Sequence, residues 1–142
     1  MRRVIYDTGI YVDYLRRGEG ARTVETATST GVVHLSAIVA EELIVGAPDR
    51  VSLRFLEHLI ERFDAVHRLA VPERLDWLRA GRAIREIGRR HGYELVGRAR
   101  LTNDALILAT ALRIGATLVT RNADDFKLLR EHLAVTIAAV HP

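Results

Sequence analysis

Asp7, Glu42, Asp104 and the run Asn122-Ala123-Asp124-Asp125 are the residues of this 142-residue chain whose types and settings could do chemistry. Asp7 directly follows the short apolar run Val4-Ile5-Tyr6, so it sits where a strand hands over to a helix. A helix cap is the ordinary reading of an acid there. Glu42 lies on a stretch whose large apolar residues, Ile38, Val39, Leu43, Ile44 and Val45, sum weakly at helical spacing to a direction close to Glu42. Its neighbour Glu41 lies about 100° away. An inward-facing carboxylate must be protonated, paired with a cationic side chain or bound to a metal. Asp104 opens a segment, Asn103-Asp104-Ala105-Leu106-Ile107-Leu108-Ala109, that is apolar nearly all round and therefore reads as a buried helix. Asn122, with Asp125 three residues on, reads either as a variant capping box or as polar groups at the end of a strand.

Carboxylates gathered without Cys or Lys suit a hard cation. Mg²⁺ and Mn²⁺ take oxygen ligands and keep several waters. Other chemistries fit poorly. There is no Cys, which excludes thiolate metal sites and a cysteine nucleophile, and the six His form no H-E-x-x-H. None of Ser29, Ser36 and Ser52 lies in G-x-S-x-G, Gly18-Glu19-Gly20 completes no dinucleotide fingerprint, and Gly9 stands where an aspartyl phosphatase needs its second Asp.

The elements that must position these acids alternate. Strands are predicted over residues 3–6, 32–35, 65–69, 117–120 and 135–138. Helices are predicted over 10–17, 21–29, 37–45, 51–63, from the first turn at Pro72 to about His91, 103–114 and 124–132. Ser36 and Asp49 stand at N-cap positions. Strands separated by helices argue for an α/β fold with a mainly parallel sheet flanked by helices, in which ligands bind beyond the carboxyl ends of the strands.

The composition is globular: 49% hydrophobic and 27% charged residues, in a length that makes one domain over 1–142. Charge interrupts every apolar stretch before the ~18 residues a membrane span needs. Met1-Arg2-Arg3-Val4-Ile5-Tyr6-Asp7 reaches an acid too early for a signal peptide, so a cytoplasmic protein is expected. The net charge is +3, and Lys127 is the only Lys against 20 Arg. Setting four site acids aside leaves 21 basic and 14 acidic residues, a +7 surface that would attract a polyanion. Arg82, Arg85 and Arg89 share one helix face at spacings that suit phosphate contacts or simply a solvated face.

Four ordered segments carry a resemblance: Val4-Ile5-Tyr6-Asp7-Thr8-Gly9, the stretch from Leu35 through Glu42 to Gly46-Ala47, Asn103-Asp104-Ala105-Leu106 with its apolar continuation, and Leu118-Val119-Thr120-Arg121-Asn122-Ala123-Asp124-Asp125-Phe126. The chain resembles PIN-domain ribonucleases, and among them the VapC-type toxins of toxin–antitoxin pairs, over essentially its whole length. The resemblance implies a single PIN-like domain and a Mg²⁺- or Mn²⁺-dependent endoribonuclease that cuts single-stranded or loop RNA. It maps the catalytic acids onto Asp7, Glu42, Asp104 and Asp125, with Asp7 and Asp104 holding the metal. Thr8, Thr120 and Asn122 would be supporting polar groups. The fourth position departs from the common pattern: many members carry an acid where Asn122 stands, which leaves Asn122, Asp124 and Asp125 as alternatives. Gly9 replaces the more usual Asn or Ser. Arg98, Arg100 and Arg121 are expected to meet RNA. A small antitoxin and a second copy of the chain are the implied partners, with no membrane. Two other readings are a free-standing RNA-processing nuclease and a PIN module that binds RNA or a partner without cutting.

Overall fold

In a computed structural model the described residues are 2–17, 31–95 and 99–140. The predicted helix over 21–29, the turn at 18–20 and Arg98 fall outside them. Five strands, β1 (Arg2–Tyr6), β2 (Gly31–Ser36), β3 (Leu69–Ala70), β4 (Ala116–Thr120) and β5 (Ile137–Ala139), form one sheet in the order β3-β2-β1-β4-β5. Every neighbouring pair is parallel. The described α-helices are α1 (Thr8–Arg17), α2 (Ala37–Val45), α3 (Arg50–Ala65), α4 (Arg74–His91) and α5 (Ala99–Ile114). This is the α/β, mainly parallel architecture expected from the alternation of elements.

The strand order creates the place for a site. From β1 the chain builds outward through β2 to β3, then returns to the other side of β1 for β4 and β5. The direction of winding therefore reverses between β1 and β4, and the crevice beyond the carboxyl ends of those two strands is where open parallel sheets bind ligands. Asp7 follows β1 and Arg121 follows β4.

Local signals explain the best-placed elements. Ser36 is fully buried and its Oγ accepts the N–H groups of Ile38 (3.1 Å) and Val39 (3.4 Å), starting α2 at Ala37 as predicted. Asp49 likewise accepts from the Ser52 N–H at 2.8 Å to start α3. Gly115, at φ +69, ends α5 in the left-handed region and lets β4 begin at the next residue. Replacing Ser36 by Ala orphans two donors at once. The Ser36→Ala variant is expected to lose about 1–2 kcal/mol of stability in urea unfolding; an unchanged midpoint would show that the cap contributes nothing.

Five predicted elements need correction. The strand expected at 65–69 is only Leu69–Ala70, because α3 continues to Ala65. Leu56 is buried and Ile60 and Phe63 pack on the core at helical spacing, and the chain leaves through His67 at φ +59. The long helix α4 begins at Arg74, not Pro72; Glu73 caps it while its N–H donates to the Asp76 carboxylate at 2.8 Å. The helix expected at 124–132 is two 3₁₀ turns, Ala123–Phe126 and Leu129–Glu131. Phe126 closes the first turn and Leu129 opens the second, and both are buried in the core. The last strand is shifted to Ile137–Ala139.

The most consequential correction is α5. It starts at Ala99, not Asn103, so Asp104 is in its second turn rather than at its opening. A helix-start role for Asp104 is thereby removed, since the favourable field of the N-terminus fades within the first turn. Ala105, Leu106, Ile107, Leu108, Ala109 and Ala111 of the same helix are all buried, as its all-round apolar pattern requires. α5 packs on α4, β4 and α2.

Candidate active site

Asp7 is fixed by its neighbours on three sides. Its N–H donates to the Val119 carbonyl of β4 (2.9 Å), Oδ1 accepts the Thr8 N–H (2.8 Å), and Oδ2 accepts the Thr120 hydroxyl (2.8 Å). Thr120 is fully buried at the end of β4, and its Oγ also accepts the Asn122 N–H at 3.1 Å. The Thr8 hydroxyl donates to Glu42 Oε1 at 2.8 Å. A chain of hydrogen bonds thus runs from β4 through Asp7 to the first turn of α1 and across to α2.

Glu42 is half-buried and Glu41 exposed, so the helix-face reading distinguished the two acids correctly. The partner of Glu42 in this chain of bonds is a threonine, not the arginine that ordinary pairing would have supplied.

Asp7, Glu42 and Asp104 all line one cavity of about 690 Å³, together with Thr8, Asn103 and Asn122. Asp104 is 8% exposed, and its pKa is pushed up to about 7. Burial is the largest cause; the Asp7 carboxylate adds to it, as do Glu42 and Asp125 more weakly, while Arg100 opposes. The pocket therefore holds more negative charge than its surroundings offset.

A divalent cation would relieve that charge. The donor set is all oxygen, the chemistry that Mg²⁺ and Mn²⁺ accept. As the side chains lie, no three acids or histidines among the described residues are arranged to enclose a metal ion. The fit rests on donor type and on the unrelieved charge at Asp104.

The remaining expected residues line the cavity or lie beside it. Asp125 is not among the residues lining the cavity; its side chain is 39% exposed and its Oδ2 takes a hydrogen bond from Arg100 at 2.6 Å. Asn122 precedes the 3₁₀ turn as expected of a cap, but its side chain makes no capping bond, so the capping-box reading fails. Arg121 lines the cavity and is ion-paired with Asp13 of α1. Arg85, Arg89 and Arg90 ring Glu86 on the exposed side of α4, the arrangement of a solvated face. Gly9 takes an ordinary helical conformation, and a Cβ there would meet nothing within 4 Å, so its departure from the common pattern costs no geometry.

Two polar lining residues escaped the sequence reading: Asp13 and Asn103. Asp13 was detectable in principle, because Gly9, Val12 and Asp13 share one face of α1 at spacings of three and four. Beside the acidic cavity runs an apolar groove of about 730 Å³ between α1, α2 and α3, with Tyr14, Leu15, Val51 and Phe55 exposed along it. Val12 and Glu42 line both.

Comparison with known proteins agrees with the fold. The family model of the PIN domain matches residues 4–131. The chain is 30% identical over 125 residues to the VapC ribonuclease Mb1587 of Mycobacterium bovis, covering 85% of this chain and 87% of that protein. The same figures hold for the ribonuclease VapC11 of Mycobacterium tuberculosis. Among solved structures, VapBC-1 from nontypeable Haemophilus influenzae superposes with a TM-score of 0.69 at 23% identity, covering 96% of this chain and 97% of that one.

Proposed function

This chain belongs to the PIN-domain family, and from that premise we propose that it is a metal-dependent endoribonuclease, the toxin of a toxin–antitoxin pair, acting on single-stranded or loop RNA. The observation that carries the reading is the cavity at the β1–β4 reversal, where Asp7, Glu42 and Asp104 converge and Asp104 holds its proton up to about neutrality. In this reading Asp7 and Asp104 hold the cation, Mg²⁺ or Mn²⁺, and Glu42 completes the acidic wall. A divalent cation bound there supplies an activated water and offsets charge on the phosphorus and the leaving oxygen.

The chain's own residues prepare that chemistry. Thr8 and Thr120 hold the two Asp7 oxygens in fixed directions, so the carboxylate need not reorganise when a cation arrives. The Thr8 hydroxyl orients Glu42 toward the same cavity. Asn103 and Asn122 offer neutral polar groups to RNA at the cavity wall. Arg100 and Arg121 bring positive charge to a mouth that phosphates must approach. Binding should weaken with salt accordingly.

The apolar groove next to the cavity supports the protein partner. A small antitoxin could lay an apolar segment against Tyr14, Leu15, Val51 and Phe55 and direct a basic side chain toward Glu42, which borders both spaces. A second copy of the chain is the other partner this reading carries. No described helix is long and apolar enough to cross a membrane.

The test is cleavage of a mixed pool of structured and single-stranded RNAs in Mn²⁺, Mg²⁺ or EDTA, with the new ends mapped. Cuts that need the divalent ion and leave 5′-phosphates support the nuclease. A folded protein that binds Mn²⁺ but cuts nothing in the pool or in total cellular RNA would turn the reading to a non-catalytic RNA-binding module.

A further inference from the structure

The mouth of the cavity poses an electrostatic problem that the metal-site reading does not solve. Arg100 and Arg121 both line a cavity whose wall holds Asp7, Glu42 and Asp104. An unrestrained guanidinium beside three carboxylates would pair with them, occupying the oxygens a cation needs. Among the described residues neither arginine forms an ion pair with those three carboxylates, although the Arg100 charge acts on Asp104 from a distance. Arg121 is ion-paired with Asp13, a contact in which the two side chains are only 30% and 19% exposed. Arg100 is paired with Asp125 at 2.6 Å, with the two side chains 70% and 39% exposed. Both acids are placed by separate elements: Asp13 by the second turn of α1, on the side that faces the cavity, and Asp125 by the 3₁₀ turn after β4.

We propose that Asp13 and Asp125 are positioning residues that restrain Arg121 and Arg100, keeping the two guanidiniums off the acidic pocket while leaving their remaining N–H donors free to receive RNA phosphates. The inference rests on the nuclease reading for the phosphates, but not for the restraint. It gives Asp13 a role and takes Asp125 out of the set of catalytic acids. The chemistry is economical: a guanidinium carries five N–H donors, and each of these acids engages only part of that fork. The two restraints also differ. The Asp13 pair is half-buried and screened little by solvent, so Arg121 is a fixed post. The Asp125 pair is exposed, so Arg100 can exchange its carboxylate for a phosphate.

The test separates restraint from ligation by double-mutant cycles on the full chain, read by calorimetric titration with Mn²⁺ alone. Asp125→Asn frees Arg100 and should weaken Mn²⁺ binding about 3–10-fold, on the order of one exposed ion pair. Arg100→Gln should leave Mn²⁺ binding unchanged or tighter. The combination Asp125→Asn with Arg100→Gln should return to within about twofold of Arg100→Gln, because no free guanidinium remains. The Asp13→Asn and Arg121→Gln cycle should behave alike, and its double variant removes both charges of the half-buried pair at once. A double variant that stays as weak as the Asn single variant would make that acid a metal ligand and overturn the proposal for it. On RNA, Arg100→Gln and Arg121→Gln should each raise KM about tenfold, leave kcat within about threefold, and reduce the salt slope by about 0.7. A fall in kcat with KM unchanged would overturn the phosphate role. Should the wild type cut no RNA, the nuclease reading fails while the Mn²⁺ cycles still decide the restraint.

Discussion

The Asp104→Asn variant is expected to lose RNA cleavage by about three orders of magnitude while becoming the more stable protein when no metal is present. The activity loss follows from removing a carboxylate proposed to hold the cation: several kcal/mol of transition-state stabilisation corresponds to about 10³-fold or more. The stability gain follows from the setting of Asp104. Burial and the neighbouring Asp7 carboxylate push its pKa up from 3.8 to about 7. Below about pH 4 the group is protonated in folded and unfolded chains alike and contributes nothing. Between about pH 4 and pH 7 the unfolded chain ionises while the folded chain keeps its proton, so folding stability falls as pH rises. Above pH 7 the loss is complete and constant.

In EDTA, therefore, the difference in Tm between variant and wild type should be small at pH 4, widen in favour of the variant up to about pH 7, and then level. Saturating Mn²⁺ at pH 8 should raise the Tm of wild type and leave the variant nearly unmoved. Melting curves by circular dichroism across pH 4–8, with and without Mn²⁺, read both effects. Parallel Tm profiles for the two proteins in EDTA would mean that Asp104 carries no charge strain, and the central support for a cation at this cavity would go with it.

A second large effect is expected far from the cavity, at Arg113→Met. Asp76 of α4 is fully buried, and its Oδ2 accepts the Nε–H of Arg113 from α5 at 2.8 Å. Arg113 also donates to the Val71 carbonyl at 3.0 Å and lies 3.4 Å from the Glu73 carboxylate. The guanidinium thus ties the start of α4 to the end of α5, the helix that carries Asp104. Breaking a buried ion pair from one side leaves the other charge uncompensated, which typically costs about 3–5 kcal/mol. That is a large part of the roughly 5–15 kcal/mol that holds a domain folded. Urea unfolding should show the loss directly. The double variant Arg113→Met with Asp76→Leu should recover much of it, because a well-packed apolar pair of similar size is often no worse than the ion pair it replaces. A single variant as stable as wild type would mean that Asp76 finds water or another donor, and the proposed tie between the helices would be absent.

How much of this was legible beforehand depends on the distance over which each signal acts. Ser36 and Asp49 were readable as caps because a cap is decided within three residues of backbone. Glu42 could be told from Glu41 because helical spacing alone orients neighbouring side chains by about 100°. The alternation of strands and helices sufficed for an α/β sheet, and the four acidic segments sufficed for a candidate site. The same local reasoning misled where two local answers compete. The apolar spacing around 65–69 and 124–132 suited more than one element, and the packing of Phe63, Phe126 and Leu129 against the rest of the core chose between them. The start of α5 was read late for a related reason: the apolar run that advertises the helix begins only at Ala105, although the helix itself begins at Ala99.

The chemistry-bearing residue types, their order and the alternation of strands and helices beneath them were thus legible in the amino-acid sequence alone, because they rest on contacts between near neighbours in the chain. Tertiary structure decided which acids act together. Asp7 meets Thr120, Thr8 meets Glu42, Arg100 meets Asp125 and Arg121 meets Asp13 only because β1 lies between β2 and β4 and brings segments up to 113 residues apart into one crevice. That ordering sets Asp7, Glu42 and Asp104 apart from Asp13 and Asp125, the two acids that pair with the arginines. No spacing in the chain encodes that division, since it depends on which strand ends are neighbours in the sheet.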